Sequence, residues 1–194
     1  MEDQNPASEE DVRSFLAFFE RAGKLKDTLR SARTAQGKRE STAEHTWRLC
    51  LVALTLKNRF PPGVDFGRLL EILIIHDIGE SVTGDIPATE QVCDKTADER
   101  IAMEEILGGL PNETASQLLD IWEEYSAVRT PEAQLAKALD RLETVMQHIE
   151  GENEPGFDYA FNLTYGHEHT DSNPLVAALR EVVDEETRRR ARSG

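Results

Sequence analysis

The sequence predicts an all-α protein, a helical bundle of about seven helices. Apolar residues recur at spacings of three and four over long stretches, and the alternating runs typical of strands are nearly absent. Signals for helix starts also repeat along the chain. A length of 194 residues suits one domain with a sizeable core. We therefore expect a single domain over 1–194, with its motifs within about 25–150 and a C-terminal loop and helix over 151–194.

Each predicted helix begins at a residue whose side chain can cap it. In chain order these residues are Ser8, Ser41, Asp65, Thr96, Asn112, Thr130 and Asn173. Ser41 and Glu44 have the spacing of a capping box, and Pro61 ends their helix. The sixth helix is expected to end at Gly151. The polar segment 152–172 then predicts an ordered surface loop, with room for a short helix.

The third predicted helix carries apolar residues almost all round, which is typical of a central helix packed on several sides. It is expected to run to near Gly84. Within it, His76 and Asp77 follow four consecutive apolar residues, 72–75. An ionised carboxylate in an apolar interior costs several kcal/mol unless a cation, a proton or donors compensate it. A buried metal ion is one answer.

Composition excludes some partners. The net charge of -15 would repel duplex nucleic acid and an anionic membrane surface, so neither is an expected partner. The chain has two cysteines, Cys50 and Cys93, and no N-terminal apolar segment of the signal-peptide type. A reduced, cytoplasmic protein is therefore expected. Neither cysteine resembles a nucleophile.

Metal-type ligands lie on three predicted helices: His45 on the second, His76 and Asp77 on the third, and Asp140 on the sixth. Two imidazoles with two carboxylates suit Mn, Co, Fe, Zn or Mg, and they leave positions open on an ion that prefers six ligands. Each residue also has a plainer interpretation. His45 alone could be a partly buried histidine with a backbone partner, and Asp140 with Arg141 could be a solvated pair.

Four segments, EHTWR, IIHDIGE, GDIPA and ALDRLE, carry a resemblance to a known family. Together they resemble the HD-domain superfamily of metal-dependent phosphohydrolases, and within it the HD-domain 5′-deoxynucleotidase group. The resemblance runs from about Leu25 to Gln147. It implies one divalent ion held by His45, His76, Asp77 and Asp140. It also implies hydrolysis of nucleoside 5′-monophosphates to nucleoside and phosphate, and a homodimer.

Two further carboxylates lie near the proposed ligands in the sequence. Glu80 follows His76 by four residues, so on a continuous helix it would project from the same face. There a carboxylate could take a proton from water whose pKa a divalent ion has lowered from ~15.7 toward 7. Asp85 comes just after the predicted helix end. The resemblance implies that Glu80 and Asp85 are the catalytic pair, and they could also hold a second cation with the Ile86 carbonyl.

Positive charge for a substrate phosphate is concentrated in residues 21–39, which hold seven basic residues and one acid. Most of the seven could form a solvated basic face. Arg30 is the expected phosphate ligand, because LKDTLR resembles the place of the family's phosphate-contacting arginine. The family has a tryptophan at or soon after this arginine, associated with preference for deoxyribose. Here Ser31, Ala32 and Arg33 follow, so the resemblance does not extend to sugar selectivity.

Two other functions fit parts of the pattern. The chain could hydrolyse nucleoside di- or triphosphates, or a modified nucleotide. It could instead be a helical interaction or signalling module whose metal is purely structural. A structural site does not require carboxylates such as Glu80 and Asp85 beside its ligands, which favours the enzyme.

Overall fold

The structure, a computed structural model, describes residues 8–86 and 96–193. Helices make up most of these residues, which confirms the predicted all-α class. In chain order they are α1 (Glu9–Ala22), α2 (Thr42–Leu56), α3 (Phe66–Ile75), α4 (Glu80–Thr83), α5 (Thr96–Leu107), α6 (Asn112–Ala127), α7 (Pro131–Glu150), α8 (Tyr159–Asn162), α9 (His167–Thr170) and α10 (Pro174–Ser193). Short 3-10 helices, Gly23–Lys26 and Lys57–Arg59, follow α1 and α2. None of the helices in the described residues is long and apolar enough to cross a membrane.

Most of the predicted capping residues perform that role. At the starts of five helices, a side-chain oxygen of the predicted residue accepts a hydrogen bond from a backbone N–H group. These residues are Ser8, Ser41, Asp65, Thr130 and Asn173. Asn112 differs, because it is the first helical residue and Pro111 precedes it without a side-chain cap. The Thr96 side chain and Cys93 lie outside the described residues. Capping is a local interaction, which explains why the sequence pattern locates these helix starts well.

The third predicted helix is interrupted at the proposed ligands. Helix α3 ends at Ile75, residues 76–79 form a turn, and the short α4 ends before Gly84, whose φ is 76°. In the turn the backbone bonds tighten to three-residue spacing: Ile78 N–H donates to the Ile75 carbonyl and Glu80 N–H to the Asp77 carbonyl, both at 3.0 Å. The expectation of one continuous helix to Gly84 is therefore wrong.

A short hairpin occupies the basic segment, where no strand is predicted. Strand β1 (Leu29–Arg33) pairs antiparallel with β2 (Arg39–Ser41), and the register shifts between the two paired ends. The connection turns at Gly37, whose φ is 77°. Strands this short leave almost no alternating pattern to detect. The hairpin leads directly into α2, so it brings the basic segment beside the helix that carries His45.

Helix α7 lies at the centre of the packing. It contacts α2, α3, α6, α9 and α10, and most of its residues are buried. Helix α3, predicted to be packed on several sides, buries Ile72 and Leu73 completely but leaves Ile74 54% exposed. Because α3 contacts α2, α6 and α7, the prediction of a helix packed on several sides is confirmed, although α7 is the more deeply buried of the two. Asp140 consequently comes from the helix at the centre of the core.

The polar segment after α7 is ordered, as predicted, and holds two short helices, α8 and α9. Arg180 on α10 is fully buried and anchors this segment: its Nε donates to Asp184 at 2.7 Å and its NH1 donates to the Tyr165 carbonyl at 2.9 Å. His148, which looks like helix surface in the sequence, is buried and faces Asn162 at 2.9 Å. These contacts hold the segment against α7.

Val128 at the end of α6 is held in the left-handed conformation, with φ 51° and ψ 35°. For an L-residue with a side chain this conformation costs roughly 1–2 kcal/mol, whereas glycine adopts it freely but loses more chain entropy on folding, about 0.5–1 kcal/mol. We therefore expect Val128→Gly to raise the free energy of unfolding by about 0.5–1 kcal/mol, measured by urea denaturation. Equal or lower stability would contradict this.

Candidate metal centre

The structure brings the four predicted ligands together from distant parts of the chain. One ligand atom each from His45, His76 and Asp140 lies within 4.8 Å of the others, and all three residues are buried. Asp77 is not a member of that set, but its Oδ2 lies 3.0 Å from His76 Nε2 and 3.8 Å from His45 Nε2. His45 Nε2 and Asp140 Oδ1 are 3.3 Å apart. Helices α2 and α7 and the turn after α3 therefore converge on one point.

Hydrogen bonds orient both imidazole rings toward that point. His76 Nδ1 lies 2.8 Å from the Leu73 carbonyl, which can only accept, so Nδ1 carries the proton. His45 Nδ1 lies 2.5 Å from Glu143 Oε2 and donates to it. Both Nε2 atoms are buried, and neither has a hydrogen-bond partner among the described residues. Two such nitrogens beside carboxylates form the mixed donor set that divalent transition metals prefer, so the residues fit a metal ion.

The electrostatics also favour a cation. Burial and Arg30 would lower the pKa of His45, but the carboxylates of Glu143 and Asp140 outweigh them and raise it to about 10. Burial would raise the pKa of Asp77, yet the neighbouring His76 holds it below its usual range. The pKa of Asp140 is likewise held well below its usual range against burial. Both aspartates thus stay ionised at neutral pH.

Two residues that sequence reasoning missed hold the ligands in place. Glu143 is fully buried and fixes His45, and the Tyr125 hydroxyl donates to Asp140 Oδ2 at 2.9 Å. Partners of this kind set the tautomer and direction of metal ligands. Glu143 lies in the ALDRLE segment, one helical turn after Asp140, which is a signal that could have identified it. Tyr125 leaves no such signal, because its contact depends on how α6 packs on α7.

We expect Glu143→Gln to weaken metal affinity about 10- to 100-fold, the usual effect of losing an outer partner of a metal ligand. The amide removes the negative charge of Glu143, which makes the His45 ring more basic and so a stronger metal ligand. Dissociation constants measured by competition with a chelating dye would test this. Glu113→Gln, an exposed acid on α6, is the control and should leave the affinity unchanged. An unchanged affinity in Glu143→Gln would contradict the positioning role.

Glu80 and Asp85 both lie in the electrostatic field of the site. Glu80 Oε2 accepts a hydrogen bond from the Thr42 hydroxyl at 2.9 Å. Burial, followed by the charges of Asp77 and Asp85, raises the pKa of Glu80 to about 9. Burial also raises the pKa of Asp85, which Arg30 offsets only in part. The continuous helix expected to carry Glu80 is absent, but the turn of residues 76–79 still places the Glu80 carboxylate near Asp77.

Arg30 reaches the site from β1. Its NH1 lies 3.6 Å from Asp77 Oδ2, its Nε 3.5 Å from Glu40 Oε2, and its NH2 donates to the Thr144 hydroxyl at 3.2 Å. The surrounding carboxylates raise the pKa of Arg30 further although burial opposes this. Other arginines of the basic segment serve the fold instead: Arg21, Arg33 and Arg39 donate to backbone carbonyls elsewhere.

A second group of buried ligand-type residues, Glu40, His45 and Glu143, also has atoms within 4.8 Å of one another. His45 Nδ1 is already bonded to Glu143 there. Arg30 and Arg48 lie 3.5 Å and 3.6 Å from the carboxylates of Glu40 and Glu143. Burial and the charge of Glu143 raise the pKa of Glu40 to about 7. This group is therefore an arginine-compensated acid pair behind His45.

Comparison with known proteins gives a consistent assignment. The profile of the HD domain matches residues 22–180. A 5′-deoxynucleotidase of Danio rerio is 31% identical over 93% of this chain and 92% of its own length, and one of Homo sapiens is 30% identical over 73% and 70%. A crystal structure titled "predicted metal-dependent phosphohydrolase" from Magnetospirillum magnetotacticum superposes with a TM-score of 0.79 at 32% identity. That match covers 94% of this chain and 98% of the other.

The matched region contains the metal-type ligands and both proposed catalytic carboxylates. The length of the match and the geometry of the site agree with the resemblance carried by the four sequence segments. The chain belongs to the HD-domain family of metal-dependent phosphohydrolases.

Proposed function

We propose that this protein hydrolyses deoxyribonucleoside 5′-monophosphates to nucleoside and phosphate. The convergence of His45 Nε2, His76 Nε2 and an Asp140 oxygen in a buried cluster carries the proposal, because the two nitrogens have no hydrogen-bond partner among the described residues. Relatives at about 30% identity that are named 5′-deoxynucleotidases support the choice of substrate.

In this proposal His45, His76, Asp77 and Asp140 hold one divalent ion, either Mn, Co, Fe, Zn or Mg. Such an ion would supply Lewis-acid activation of water and of a phosphoryl oxygen. Glu80 and Asp85 are the catalytic pair. One accepts the proton of the attacking water and the other serves the leaving 5′-oxygen, with Thr42 orienting Glu80. Arg30 binds the substrate phosphate. Its Nε and NH1 lie 3.5 Å and 3.6 Å from the nearest carboxylates, too far for strong hydrogen bonds, so these N–H groups can donate to the phosphate.

A second cation between Glu80 and Asp85 is also part of the proposal. Each of these carboxylates has a raised pKa, and the charge of Asp85 contributes to the shift at Glu80. A cation between two such groups would relieve this repulsion. The ratio of bound metal to protein at saturation would distinguish one ion from two.

A cytoplasmic homodimer is the proposed state of the protein. Helix α2 presents an apolar face to the outside, with Trp47 67% exposed and Leu51 and Leu54 nearly half exposed. A face of this kind is typical of an association surface. Sedimentation equilibrium on the purified protein would test the dimer. The low cysteine count supports a reducing compartment such as the cytoplasm.

The test of function is phosphate release by protein stripped of metal and then given Mn, Co, Mg or Zn. Deoxy and ribo 5′-monophosphates, a 3′-monophosphate and triphosphates are compared. We expect metal-dependent release from 5′-monophosphates only. Faster release from a triphosphate would favour the alternative of nucleoside di- or triphosphate hydrolysis. Full activity without metal would overturn the proposal, and the ribo series shows whether the missing tryptophan relaxes sugar selectivity.

A further inference from the structure

Both arginines around the metal centre, Arg30 and Arg141, have protein partners. Arg30 lies between Asp77 and Thr144, as described above. Arg141 stacks on the ring of Tyr165 at 5.0 Å, donates to the Tyr165 hydroxyl and lies 3.6 Å from Asp140 Oδ2. Gly166 makes this arrangement possible, since a Cβ there would lie 2.7 Å from the Arg141 Cβ. Arg141 is therefore held by Tyr165 and Asp140.

Lys137 is different. It lies on α7 one turn before Asp140, is half-buried, and has its Nζ 3.7 Å above the centroid of the Tyr125 ring. Among the described residues, its ammonium makes no salt bridge within 4.0 Å, and no hydrogen-bond acceptor is within reach. The Tyr125 ring also packs edge-on against the His76 ring at 5.0 Å, and its hydroxyl bonds to Asp140. Tyr125 thus connects the Lys137 ammonium to two of the proposed metal ligands.

A half-buried ammonium needs an anion, as a buried carboxylate needs a cation. Burial lowers the pKa of Lys137, and the charges of Asp140 and Asp77 act in the opposite direction. Those two carboxylates are the ones proposed to hold the metal, so their charge is already committed. The ring face of Tyr125 positions the ammonium but cannot accept a conventional hydrogen bond from it. The ammonium keeps its donors for an anion that enters the site.

We propose that Lys137 binds a non-bridging oxygen of the phosphate group in the substrate and in the inorganic phosphate product, as a second cationic contact beside Arg30. This inference rests on the proposed function for the identity of the substrate. It does not depend on which nucleoside is attached. A dianionic phosphate entering among Asp77, Asp140, Glu80 and Asp85 meets strong repulsion, and two cations from separate elements, β1 and α7, reduce it.

The experiment measures inorganic phosphate binding to the Co²⁺-loaded full chain by titration calorimetry, for the wild type, Lys137→Met and Lys137→Arg. Methionine keeps the length and apolar stem but removes the charge. We expect Lys137→Met to weaken phosphate binding about 10- to 100-fold, the effect of losing a hydrogen bond to a charged group. Lys137→Arg should regain part of the affinity. Metal content of each variant is measured in parallel and should equal that of the wild type.

Lys57→Met is the matched control, because Lys57 also lies over an aromatic ring, that of Phe66 at 5.9 Å, but in the 3-10 helix after α2 rather than on α7. It should bind phosphate like the wild type. Equal affinity in Lys137→Met and wild type, or no phosphate binding by the wild type itself, would overturn the inference. A lower melting temperature with unchanged phosphate affinity would assign Lys137 to the fold instead. If nucleotides are not hydrolysed at all, the calorimetry still decides the role of Lys137.

Discussion

Replacing His76 with alanine is expected to remove both the bound metal and the release of phosphate. The substitution deletes one of the two buried Nε2 atoms that face the convergence point. It also removes the hydrogen bond from His76 Nδ1 to the Leu73 carbonyl. Loss of an outer partner typically lowers metal affinity by about 10- to 100-fold, so loss of a direct ligand should lower it further. Metal content after dialysis and phosphate release from a 5′-monophosphate are the two measurements.

His169→Ala is the control for this variant, because His169 lies on α9 outside the ligand cluster. It should keep both metal and activity. Retention of stoichiometric metal by His76→Ala would mean that the cluster is not the metal site. Loss of metal together with the fold, seen as lost helical circular dichroism, would instead favour the alternative in which the ion is purely structural.

Replacing Glu80 with glutamine is expected to leave the metal bound and to lower kcat about 10²- to 10⁴-fold, the usual contribution of a positioned acid or base. Glutamine still accepts from Thr42 but cannot take up a proton. In the metal-free protein, burial and the charge of Asp77 raise the pKa of Glu80 to about 9. A divalent ion beside Asp77 stabilises the ionised carboxylate and so lowers that pKa. The wild type should therefore show a pH limb that Glu80→Gln lacks.

Glu71→Gln, an exposed acid on α3, is the control for kcat. An unchanged kcat in Glu80→Gln would remove Glu80 from the catalytic pair. It would also support the alternative of a helical module with a structural ion, which predicts no dependence on Glu80. Lost metal in Glu80→Gln would mean that Glu80 is a ligand, a result that the separate cluster of His45, His76 and Asp140 argues against.

The sequence predicted the parts of the fold that local chemistry determines. Capping residues such as Ser41 and Asp65 stand next to the N–H groups they bind, so their spacing identifies helix starts. The break after Ile75 was missed because one of the two contacts that accompany it is made across the chain. His76 Nδ1 donates to the Leu73 carbonyl three residues earlier, whereas Gly79 packs on Met103 of α5, where a Cβ would lie 3.4 Å from the sulfur.

The proposed ligands could be picked out because the HD resemblance implies all four and because His76 and Asp77 after an apolar run are costly to bury without partners. Their supporting residues could not, since Glu143, Tyr125 and Thr42 have good explanations as ordinary helix or cap positions. Only tertiary packing shows that they bond to His45, Asp140 and Glu80. The hairpin that carries Arg30 was missed for a similar reason, because its pairing is short and irregular.

The wide separation of the ligands in the chain has a thermodynamic consequence. His45 and its partner Glu143 are 98 residues apart, so the cluster exists only when α2, α3 and α7 have packed together. An ion that binds the native chain and not the unfolded one adds about 2.7 kcal/mol to stability at a free concentration one hundred times its Kd. The supply of metal would then shift the folding equilibrium, and chelation, which removes activity directly, would also make the protein more sensitive to proteolysis.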